Sequence, residues 1–325
     1  MIVSQTPLRF SFLGGGTDFP DFYLRHGGQV LSSAIDRYVF VIVKRRFDDQ
    51  VRVSYTTTEI VAHAADVRHD LVRESLRMTA QETGLEIVTL ADVSGEGTGL
   101  GSSSALLVGL LNALYAFRGD VHGAETLGAE ASLIEIDRLG RPIGKQDHYI
   151  AAYGGFRQIA FHEDGSIECR LVPVPSATFR MLDSRLLAFF TGKTRDASTI
   201  LTAQRADISK NAPILKQMRD QCEVGKDLLV HGQLDDFGRL LHEAWQLKRN
   251  LAGGISNPDI DTMYGKAVTA GALGGKVAGA GGGGFLLLYV PPESQEEVRH
   301  ALRNFQEFHF NFEPRGSRIA YHAER

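Results

Sequence analysis

The sequence predicts an α+β protein of two domains, and three observations lead to this prediction. The chain has 325 residues, which is enough for two domains or for one large one. Short runs of β-branched and aromatic residues alternate with longer stretches that carry apolar residues at helical spacing. The segment Val172-Pro173-Val174-Pro175 interrupts both patterns. We therefore expect one domain over residues 1–173 and another over residues 174–325.

The first domain is predicted to alternate strands and helices around glycine-rich turns. A strand over residues 7–13 ends at the turn Gly14-Gly15-Gly16-Thr17-Asp18, and a hairpin joins strands over 38–46 and 51–55. The other elements predicted in this half are helices over 67–83, 123–139 and 145–153, a strand over 85–90, and a hairpin of strands over 156–161 and 167–172.

The second domain is predicted to combine two strands with several helices. Residues 185–191 are typical of a buried strand, and the helices are expected near 197–205, 212–231 and 234–251. Another helix is expected from Asn257-Pro258, because a capping side chain there precedes a proline at the first helical position. The glycine run 279–284 then leads into a strand over 285–290.

Composition and charge favour a cytoplasmic enzyme without a nucleic-acid or membrane partner. Apolar residues make up 43% of the chain and charged residues 23%, which is ordinary for a globular protein. The net charge of −4, from 35 basic and 39 acidic side chains, argues against nucleic-acid binding. The N-terminal residues show no secretory signal, and the longest apolar run, Ala105–Phe117, is too short to span a bilayer. Cys169 and Cys222 are expected to be reduced core thiols, and the sequence leaves a homodimer open.

The stretch Gly95–Phe117 carries the strongest functional signal. Four glycines in seven residues precede three serines and then a mostly apolar run. Glycine lets backbone N–H groups approach a ligand, and a serine hydroxyl can satisfy free N–H groups in the first turn of a helix. A glycine-rich loop that runs into a helix N-terminus binds anions, and the usual anion inside a cell is a nucleotide phosphate. A flexible turn before a buried helix is the alternative interpretation.

Spacing excludes the better-known phosphate motifs. The dinucleotide fingerprint G-x-G-x-x-G/A fails from each starting glycine, because the sixth position is Leu100, Ser102 or Ser104. Gly192-Lys193-Thr194 matches the end of a P-loop but lacks the glycine that must stand earlier in that motif. Asp236-Phe237-Gly238 spells the DFG of protein kinases without the other signatures of that family.

Three glycine segments together resemble the GHMP kinases, the family of galactokinase, homoserine kinase, mevalonate kinase and phosphomevalonate kinase. They read PLRFSFLGGGTD over Pro7–Asp18, EGTGLGSSSA over Glu96–Ala105 and KVAGAGGGGF over Lys276–Phe285. One glycine motif is weak, but three in the family's order across the whole chain are specific. Glu96 departs from the pattern, which usually has proline there, and repulsion by a triphosphate predicts that its side chain points outward.

Within this family the sequence resembles the D-glycero-D-manno-heptose kinases in particular. The shared segments are LGGGTD over Leu13–Asp18, PIGKQD over Pro142–Asp147 and TGKTR over Thr191–Arg195. The resemblance implies transfer of the γ-phosphoryl group of ATP to the anomeric hydroxyl of a heptose 7-phosphate, for nucleotide-heptose and surface polysaccharide synthesis. It also implies the two-domain GHMP kinase fold: an N-terminal ribosomal S5 domain 2-like α/β domain that binds nucleotide, a C-terminal ferredoxin-like domain, and an active site between them.

The resemblance assigns catalytic roles to two charged residues. Asp147 matches the proposed base of galactokinase-like members, and the first turn of a predicted helix would favour its carboxylate. Arg9, from the first motif, is expected to pair with that carboxylate and with the transferring phosphoryl group. For Asp147 taken alone, helix capping is the alternative role.

The resemblance also implies sites for ATP and Mg²⁺. Magnesium prefers hard oxygen ligands and keeps waters and phosphate oxygens in its shell. The family ligands correspond to Ser103 and Glu135, with Ser102 and Asp137 as alternatives. The residues expected to bind ATP are Gly97, Thr98, Gly99, Leu100, Gly101, Ser102, Ser103 and Ser104.

A sugar phosphate is the expected small-molecule substrate. Lys193 and Arg195 follow a strand end and a glycine, which suits a site for the distal phosphate, although solvated loop charges would show the same pattern. Lys276 and the glycines after it are expected to close the back of the site. The residues expected to bind the substrate are Gly15, Gly16, Thr17, Asp18, Lys193, Arg195, Gly281 and Gly282.

Two other functions stay open at this point. One is another anomeric sugar kinase, acting for example on galactose or fucose. The other is a non-catalytic sensor of sugar and nucleotide on the same fold. The presence of Asp147, Arg9 and Ser103 argues against the sensor, because a sensor could lose them without penalty.

Overall fold

The computed structural model describes residues 1–93, 97–195 and 197–323, which form two β-sheets with helices packed around them. The strands are β1 Ile2–Leu13, β2 Gly28–Arg45, β3 Val51–Ser54, β4 Thr58–Val61, β5 Leu85–Ala91, β6 Phe156–Phe161, β7 Ile167–Leu171, β8 Leu186–Phe190, β9 Gly274–Val277, β10 Phe285–Tyr289 and β11 Arg318–His322. The helices are α1 Pro20–His26, α2 Asp70–Met78, α3 Ser102–Arg118, α4 Ala124–Ser132, α5 Gln146–Tyr153, α6 Ser176–Ser184, α7 Ala197–Ala206, α8 Ala212–Val230, α9 Leu234–Arg249, α10 Pro258–Thr269 and α11 Gln295–Ala301.

The first sheet is built on the long antiparallel pair of β1 and β2. Within the described residues its order is β11-β1-β2-β5-β3-β4, and β6 with β7 extends it beside the first half of β2. β1 and β2 pair from Ile2↔Val43 to Leu13↔Leu31, with register shifts after Pro7 and after Ser11. The predicted strand over 7–13 is confirmed and begins five residues earlier, because alternate side chains from Ile2 onward are already buried.

The predicted hairpin between residues 38–46 and 51–55 is wrong. Strand β5 lies between β2 and β3, antiparallel to the first and parallel to the second. The antiparallel partner of β3 is instead β4. Leu85 and Ile87 of β5 are fully buried, as expected of a central strand that displaces the local pairing. The predicted hairpin of β6 and β7 is confirmed.

Helices α3, α4 and α5 of the first half pack against one another, and α3 packs on the first sheet. α3 packs across β1 and β2 with Leu107, Leu110 and Leu114 fully buried. Gly109 permits this approach, since a Cβ there would lie 2.8 Å from Thr6 Oγ1. α5 packs against α3 and α4, and α4 continues into a π-helical turn, Leu133–Arg138. The predicted helix over 123–139 is therefore two connected segments.

The second half contains a three-stranded antiparallel sheet of order β8-β10-β9. All five residues of β10 are buried, and α9 packs directly on β9. A Cβ at Gly274 would lie 2.0 Å from Gly238 O, so this helix and strand touch through their backbones. The predicted cap of α10 is confirmed, because the Asn257 side chain accepts a hydrogen bond from Ile260 N at 3.0 Å.

The end of the chain returns to the first sheet. β11 pairs antiparallel with β1, and an isolated bridge joins Ile35 to Phe312. The predicted boundary at 173/174 stays a prediction. Strand β11 follows that boundary in the sequence, yet it belongs to the sheet of the first half. Cys169 and Cys222 are free thiols; Cys222 is buried in the core as expected, whereas Cys169 is only half-buried. Within the described residues no helix combines the length and the apolar character needed to cross a membrane.

Candidate active site

A cleft opens where the end of β1, the start of α5 and the loops of the second half meet. Its lining joins five of the predicted residues with several that the motifs did not identify. The side chains and glycines used below come from both halves of the chain: Arg9, Ser11, Gly15, Gly16, Asp18, Gln146, Asp147, Gln204, Lys248 and Gly279.

Arg9 and Asp147 form the charged pair at the centre of this cleft. Arg9 Nε donates to Asp147 Oδ1 at 2.7 Å, and Arg9 Nη2 donates to Asp147 Oδ2 at 2.5 Å. The third guanidinium nitrogen, Nη1, donates to Gly99 O in the glycine loop. The Arg9 side chain is 5% exposed and that of Asp147 is 21% exposed. The guanidinium therefore fixes the orientation of the carboxylate, while the carboxylate keeps an open edge toward the cleft.

Asp18 is a second, fully locked carboxyl group in the cleft. Its Oδ1 accepts from Gly16 N at 3.0 Å, and its Oδ2 accepts from Gln146 N at 3.1 Å. Burial and the charge of Asp147 raise the pKa of Asp18, although the backbone N–H groups oppose this shift. A Cβ at Gly144 would lie 2.0 Å from Asp18 Oδ2, so only glycine fits there.

Thr17 is held differently from its neighbours in the first motif. Its hydroxyl donates to Gln29 O at 2.8 Å and accepts from Gln29 N at 3.0 Å. The side chain thereby anchors the turn to β2 and is fully buried outside the lining of the cleft. The structure gives Thr17 a role in holding the turn beside Asp18.

The second and third glycine segments touch each other through their backbones. Gly97, Gly99 and Gly101 all have left-handed φ angles, between +78° and +79°. A Cβ at Gly99 would lie 2.5 Å from Ala278 O, and one at Gly284 would lie 2.3 Å from Thr98 O. Leu100 is buried, and its carbonyl accepts from Arg9 N at 3.1 Å. The outward orientation expected for Glu96 falls on a residue outside those that the structure describes.

The start of α3 is not capped by a serine hydroxyl, so that expectation is wrong. The cap position is Gly101, which makes no side-chain hydrogen bond to the first turn. Ser104 Oγ donates instead to Glu135 Oε2 at 3.0 Å. Because the serines lie inside the helix, no side chain of the described residues caps its first-turn N–H groups, as at helix starts that bind phosphate.

Glu135 is a fully buried carboxylate with a partner on each oxygen. Besides Ser104, its Oε2 has His148 Nε2 at 2.8 Å, and its Oε1 accepts from Arg141 Nη1 at 3.2 Å. Burial acts to raise the pKa of Glu135, but hydrogen bonds from His148 and Ser103 and the charge of Arg141 lower it overall. The carboxylate is therefore ionised.

Of the two predicted magnesium ligands, Glu135 accepts its serine hydrogen bond from Ser104 Oγ at 3.0 Å, while Ser103 is near enough to contribute to the lowered pKa of Glu135. An ionised carboxylate beside a hydroxyl fits Mg²⁺, which takes its other ligands from phosphate and water. Asp137, the alternative to Glu135, is exposed. Among the described residues no group of three or more His, Cys, Asp and Glu side chains could form a metal site alone, so external oxygens would have to complete this one.

Three polar side chains in the cleft are not among the residues predicted to bind substrate. Ser11 Oγ, Gln146 Oε1 and Gln204 Nε2 are buried atoms without a hydrogen-bond partner in the described part of the chain. They surround the glycine turn: a Cβ at Gly15 would lie 3.8 Å from Ser11 Oγ and from Gln146 Nε2, and one at Gly16 would lie 2.2 Å from Gln204 Nε2. Ser11 and Gln146 stand in two of the shared motifs without an assigned role, whereas no spacing in the sequence distinguishes Gln204 from an ordinary core position.

Lys248 is a fourth polar residue that lines the cleft and was not predicted. It lies on α9, on the same face as the buried residues Ala244 and Trp245 that precede it by four and three positions. A lysine on the apolar face of an amphipathic helix is unusual, and this position is the feature of the sequence that could have identified it. Its Nζ donates to Gly279 O at 2.5 Å. Burial and the charge of Arg9 lower the pKa of Lys248 to about 8, against the opposing charges of Asp18 and Asp147.

The predicted phosphate-binding cations lie outside this cleft. Lys193 forms an ion pair with Asp259, and Arg195 Nη1 donates to Gly254 O at 3.0 Å. A Cβ at Gly282 would lie 2.6 Å from Arg195 Nη1, so Arg195 packs against the third glycine segment. Gly281 is in that segment too, with a left-handed φ of +95°. Arg195 is not among the residues that line the cleft around Asp147, and its partner Gly254 lines a separate cavity.

Comparison with known proteins extends over the whole chain. Residues 61–155 match the family described as "GHMP kinases N terminal domain", and residues 226–307 match "GHMP kinases C terminal". A D-glycero-alpha-D-manno-heptose 7-phosphate kinase of Campylobacter jejuni is 26% identical over 319 residues, which are 94% of each chain. A bifunctional fucokinase/GDP-fucose pyrophosphorylase of Arabidopsis thaliana is 25% identical over 94% of this chain and 31% of its own length.

The same relationship holds in three dimensions. The crystal structure of a D-glycero-D-manno-heptose 1-phosphate kinase from Bacteroides thetaiotaomicron superposes over 100% of both chains with a TM-score of 0.83 and 23% identity. At this identity the superposition shows a shared fold. The two-domain arrangement of mixed helices and strands predicted from the sequence is therefore confirmed.

Proposed function

The chain belongs to the GHMP kinases, phosphotransferases with an alcohol acceptor that are generally ATP-dependent, and we propose that it phosphorylates the anomeric hydroxyl of D-glycero-D-manno-heptose 7-phosphate. The product would be the 1,7-bisphosphate, for nucleotide-heptose and surface polysaccharide synthesis. The observation that carries the proposal is the Asp147 carboxylate, which Arg9 holds with two hydrogen bonds at the edge of a polar cleft. The named heptose kinase from Campylobacter jejuni supports the choice of sugar.

Asp147 would accept the proton of the acceptor hydroxyl. Phosphoryl transfer needs positioning, charge neutralisation and a group that takes this proton. The start of α3 lies beside the same carboxylate, since a Cβ at Gly101 would lie 3.4 Å from Asp147 Oδ2. A phosphate bound at the helix start would therefore be next to the base.

The remaining groups of the cleft suit a polyhydroxylated acceptor. Gln204 Nε2 is a donor, Gln146 Oε1 is an acceptor and the Ser11 hydroxyl can be either, and all three are without partners in the described structure. A ring of sugar hydroxyl groups offers both donors and acceptors. Because an unmet buried polar atom is costly, these atoms favour a ligand that satisfies them.

ATP would bind along the glycine loop Gly97–Gly101, with its phosphates at the uncapped first turn of α3. Ser103 and Glu135 would hold Mg²⁺ there. The bound metal would neutralise phosphate charge.

The proposed substrate is tested by comparing acceptors in an assay of ATP-dependent ADP release. We expect the highest kcat/KM with D-glycero-D-manno-heptose 7-phosphate, compared with the unphosphorylated heptose, galactose and fucose. A higher value with fucose or galactose would favour the second candidate, a plain anomeric sugar kinase, which the fucokinase relative supports. ATP binding without turnover on any acceptor would favour the sensor.

Loss of a metal ligand is expected to shift the magnesium requirement. Ser103→Ala and Glu135→Gln should each raise the Mg²⁺ concentration for half-maximal activity by about 10–100-fold, the range found when groups that support a metal are removed. The measurement is a Mg²⁺ titration at saturating ATP. Asp137→Asn is the matched control, because this exposed carboxylate lies two residues from Glu135. A shift in that control alone would reassign the ligand to Asp137.

Arg195 is expected to separate the phosphorylated from the unphosphorylated substrate. We propose that its exposed guanidinium, which lies outside the cleft against Gly282 and donates one hydrogen bond to Gly254 O, contacts the 7-phosphate at the end of the substrate farthest from Asp147. A charge-assisted contact of about 1.5–3 kcal/mol predicts that Arg195→Ala raises KM for the 7-phosphate about 10–150-fold. KM for the unphosphorylated heptose should hardly change. An equal loss on both substrates would assign Arg195 to the fold or the chemistry.

A further inference from the structure

Two cations, Arg9 and Lys248, line the cleft together with Asp147. Each of the three guanidinium nitrogens of Arg9 already donates a hydrogen bond, to Asp147 or to Gly99 O. Lys248 has three N–H donors and, within the described residues, uses one, to Gly279 O at 2.5 Å. Its side chain is 5% exposed, so the remaining donors can be used only by a group inside the cleft.

The backbone around Lys248 places it at the junction of acceptor and nucleotide. Gly279 belongs to the third glycine segment, and a Cβ at that residue would lie 2.6 Å from the Cα of Gly99 in the second segment. On its other side, Lys248 Nζ would lie 3.7 Å from a Cβ at Gly15, in the turn that carries Asp18. The ammonium is therefore close both to the glycine segments proposed to bind ATP and to the turn Gly14–Asp18 proposed to bind the acceptor.

We propose that Lys248 is a catalytic cation that binds the phosphoryl group while it passes from nucleotide to acceptor. This assignment rests on the proposed phosphoryl transfer in this cleft. It does not depend on which sugar is the acceptor.

In the proposed step, the acceptor oxygen forms a bond to the γ-phosphorus and gives its proton to the Asp147 carboxylate. The bond from the γ-phosphorus to the oxygen that bridges the β- and γ-phosphates breaks, and ADP leaves with that electron pair. Lys248 keeps its proton throughout and donates hydrogen bonds to non-bridging oxygens of the moving group. Donors aimed at charge in a buried site are effective because they are already oriented.

The charges around Lys248 predict a pH dependence. Arg9 faces it from β1, Asp18 from the turn after β1, Asp147 from α5 and Lys276 from β9. Burial and Arg9 lower the pKa of Lys248 to about 8, so the free enzyme loses the ammonium as the pH rises through that value. Because kcat/KM reports groups of the free enzyme, it should fall above about pH 8. The second ionisation of a phosphate, near pH 6, lies well below this range.

The experiment compares wild type with Lys248→Met and Lys248→Arg between pH 6.5 and 10, using the acceptor with the highest kcat/KM. Lys248→Met should lower kcat about 10²–10³-fold, the usual loss for one transition-state donor, and should remove the basic limb. Lys248→Arg should recover part of the activity and move the limb to higher pH, because a guanidinium stays protonated. Lys266→Met is the control: this lysine is exposed on α10 and does not line the cleft, so the limb should persist.

Several outcomes would overturn the assignment. A flat wild-type profile from pH 7 to pH 10 would do so without any variant. So would Lys248→Met with kcat close to that of wild type, or a Lys248→Met profile that is lower but keeps the wild-type limb. Absence of turnover by the wild type on every acceptor would contradict the proposed function itself. That outcome is distinct from those above, in which the wild type is active and only the role of Lys248 is wrong.

Discussion

Asp147→Asn is expected to lower kcat by about 10²–10⁴-fold, the usual contribution of a general base, while the affinity for ATP stays close to that of wild type. Asparagine keeps the shape of the side chain and one acceptor for the Arg9 fork, so the cleft should stay intact. Its amide cannot accept the proton of the acceptor hydroxyl. The measurements are kcat at saturating ATP and acceptor, and the Kd for ATP by calorimetry.

The chain offers a matched control for this variant. Arg46 and Asp48 form the same two-bond fork at 2.6 Å and 2.6 Å, near the turn between β2 and β3. Asp48→Asn removes an equivalent carboxylate away from the cleft and should leave kcat unchanged. Wild-type turnover in Asp147→Asn would contradict the role of Asp147. An equal fall in both variants would point to a general loss of folded protein.

Gly99→Ala is expected to disrupt the contact between the two glycine segments and to weaken ATP binding. Alanine at a φ of +78° costs about 1–2 kcal/mol, and a Cβ 2.5 Å from Ala278 O adds about 1–3 kcal/mol of overpacking. The free energy of unfolding should fall by the sum of both terms, about 2–5 kcal/mol. KM for ATP should rise about tenfold for each 1.4 kcal/mol of distortion that falls on the nucleotide loop.

Gly119→Ala separates the two costs. Gly119 has a similar left-handed φ of +92°, but no atom lies within 4 Å of a Cβ built there. It should lose only the backbone term of about 1–2 kcal/mol and keep the wild-type KM for ATP. Chemical denaturation measures both variants. Equal losses in the free energy of unfolding of the two variants would mean that the added methyl group at Gly99 causes no overpacking against Ala278.

Much of the fold follows from local patterns in the sequence. The long helices α8 and α9, the cap at Asn257 and the hairpin of β6 and β7 each rest on signals within a few residues, and the structure contains them. The pairing of β2 with β5 depends on a strand about forty residues away, which a turn signal at residues 47–50 cannot reveal. The serine caps failed for a similar reason, because Glu135 from another helix takes the hydroxyl of Ser104.

The candidate site divides in the same way. Arg9, Asp18 and Asp147 were found because they stand in motifs, and the structure brings them into one cleft. Gln204 and Lys248 reach that cleft only through the packing of the second half against the first. Arg195 was predicted from a glycine and two cations near a strand end; it donates to Gly254 O and does not line the cleft, and its contact with the substrate stays a prediction. Local sequence indicates which residues are charged, while the tertiary packing determines what they face.

The most direct measurement of the central claim is a ³¹P NMR time course with ATP, Mg²⁺ and D-glycero-D-manno-heptose 7-phosphate. We predict that the γ-phosphate signal of ATP declines as a new phosphomonoester signal grows, coupled to the anomeric proton, with the 7-phosphate signal retained. Growth of inorganic phosphate alone, or coupling of the new phosphate to any other sugar proton, would contradict the proposed anomeric phosphorylation.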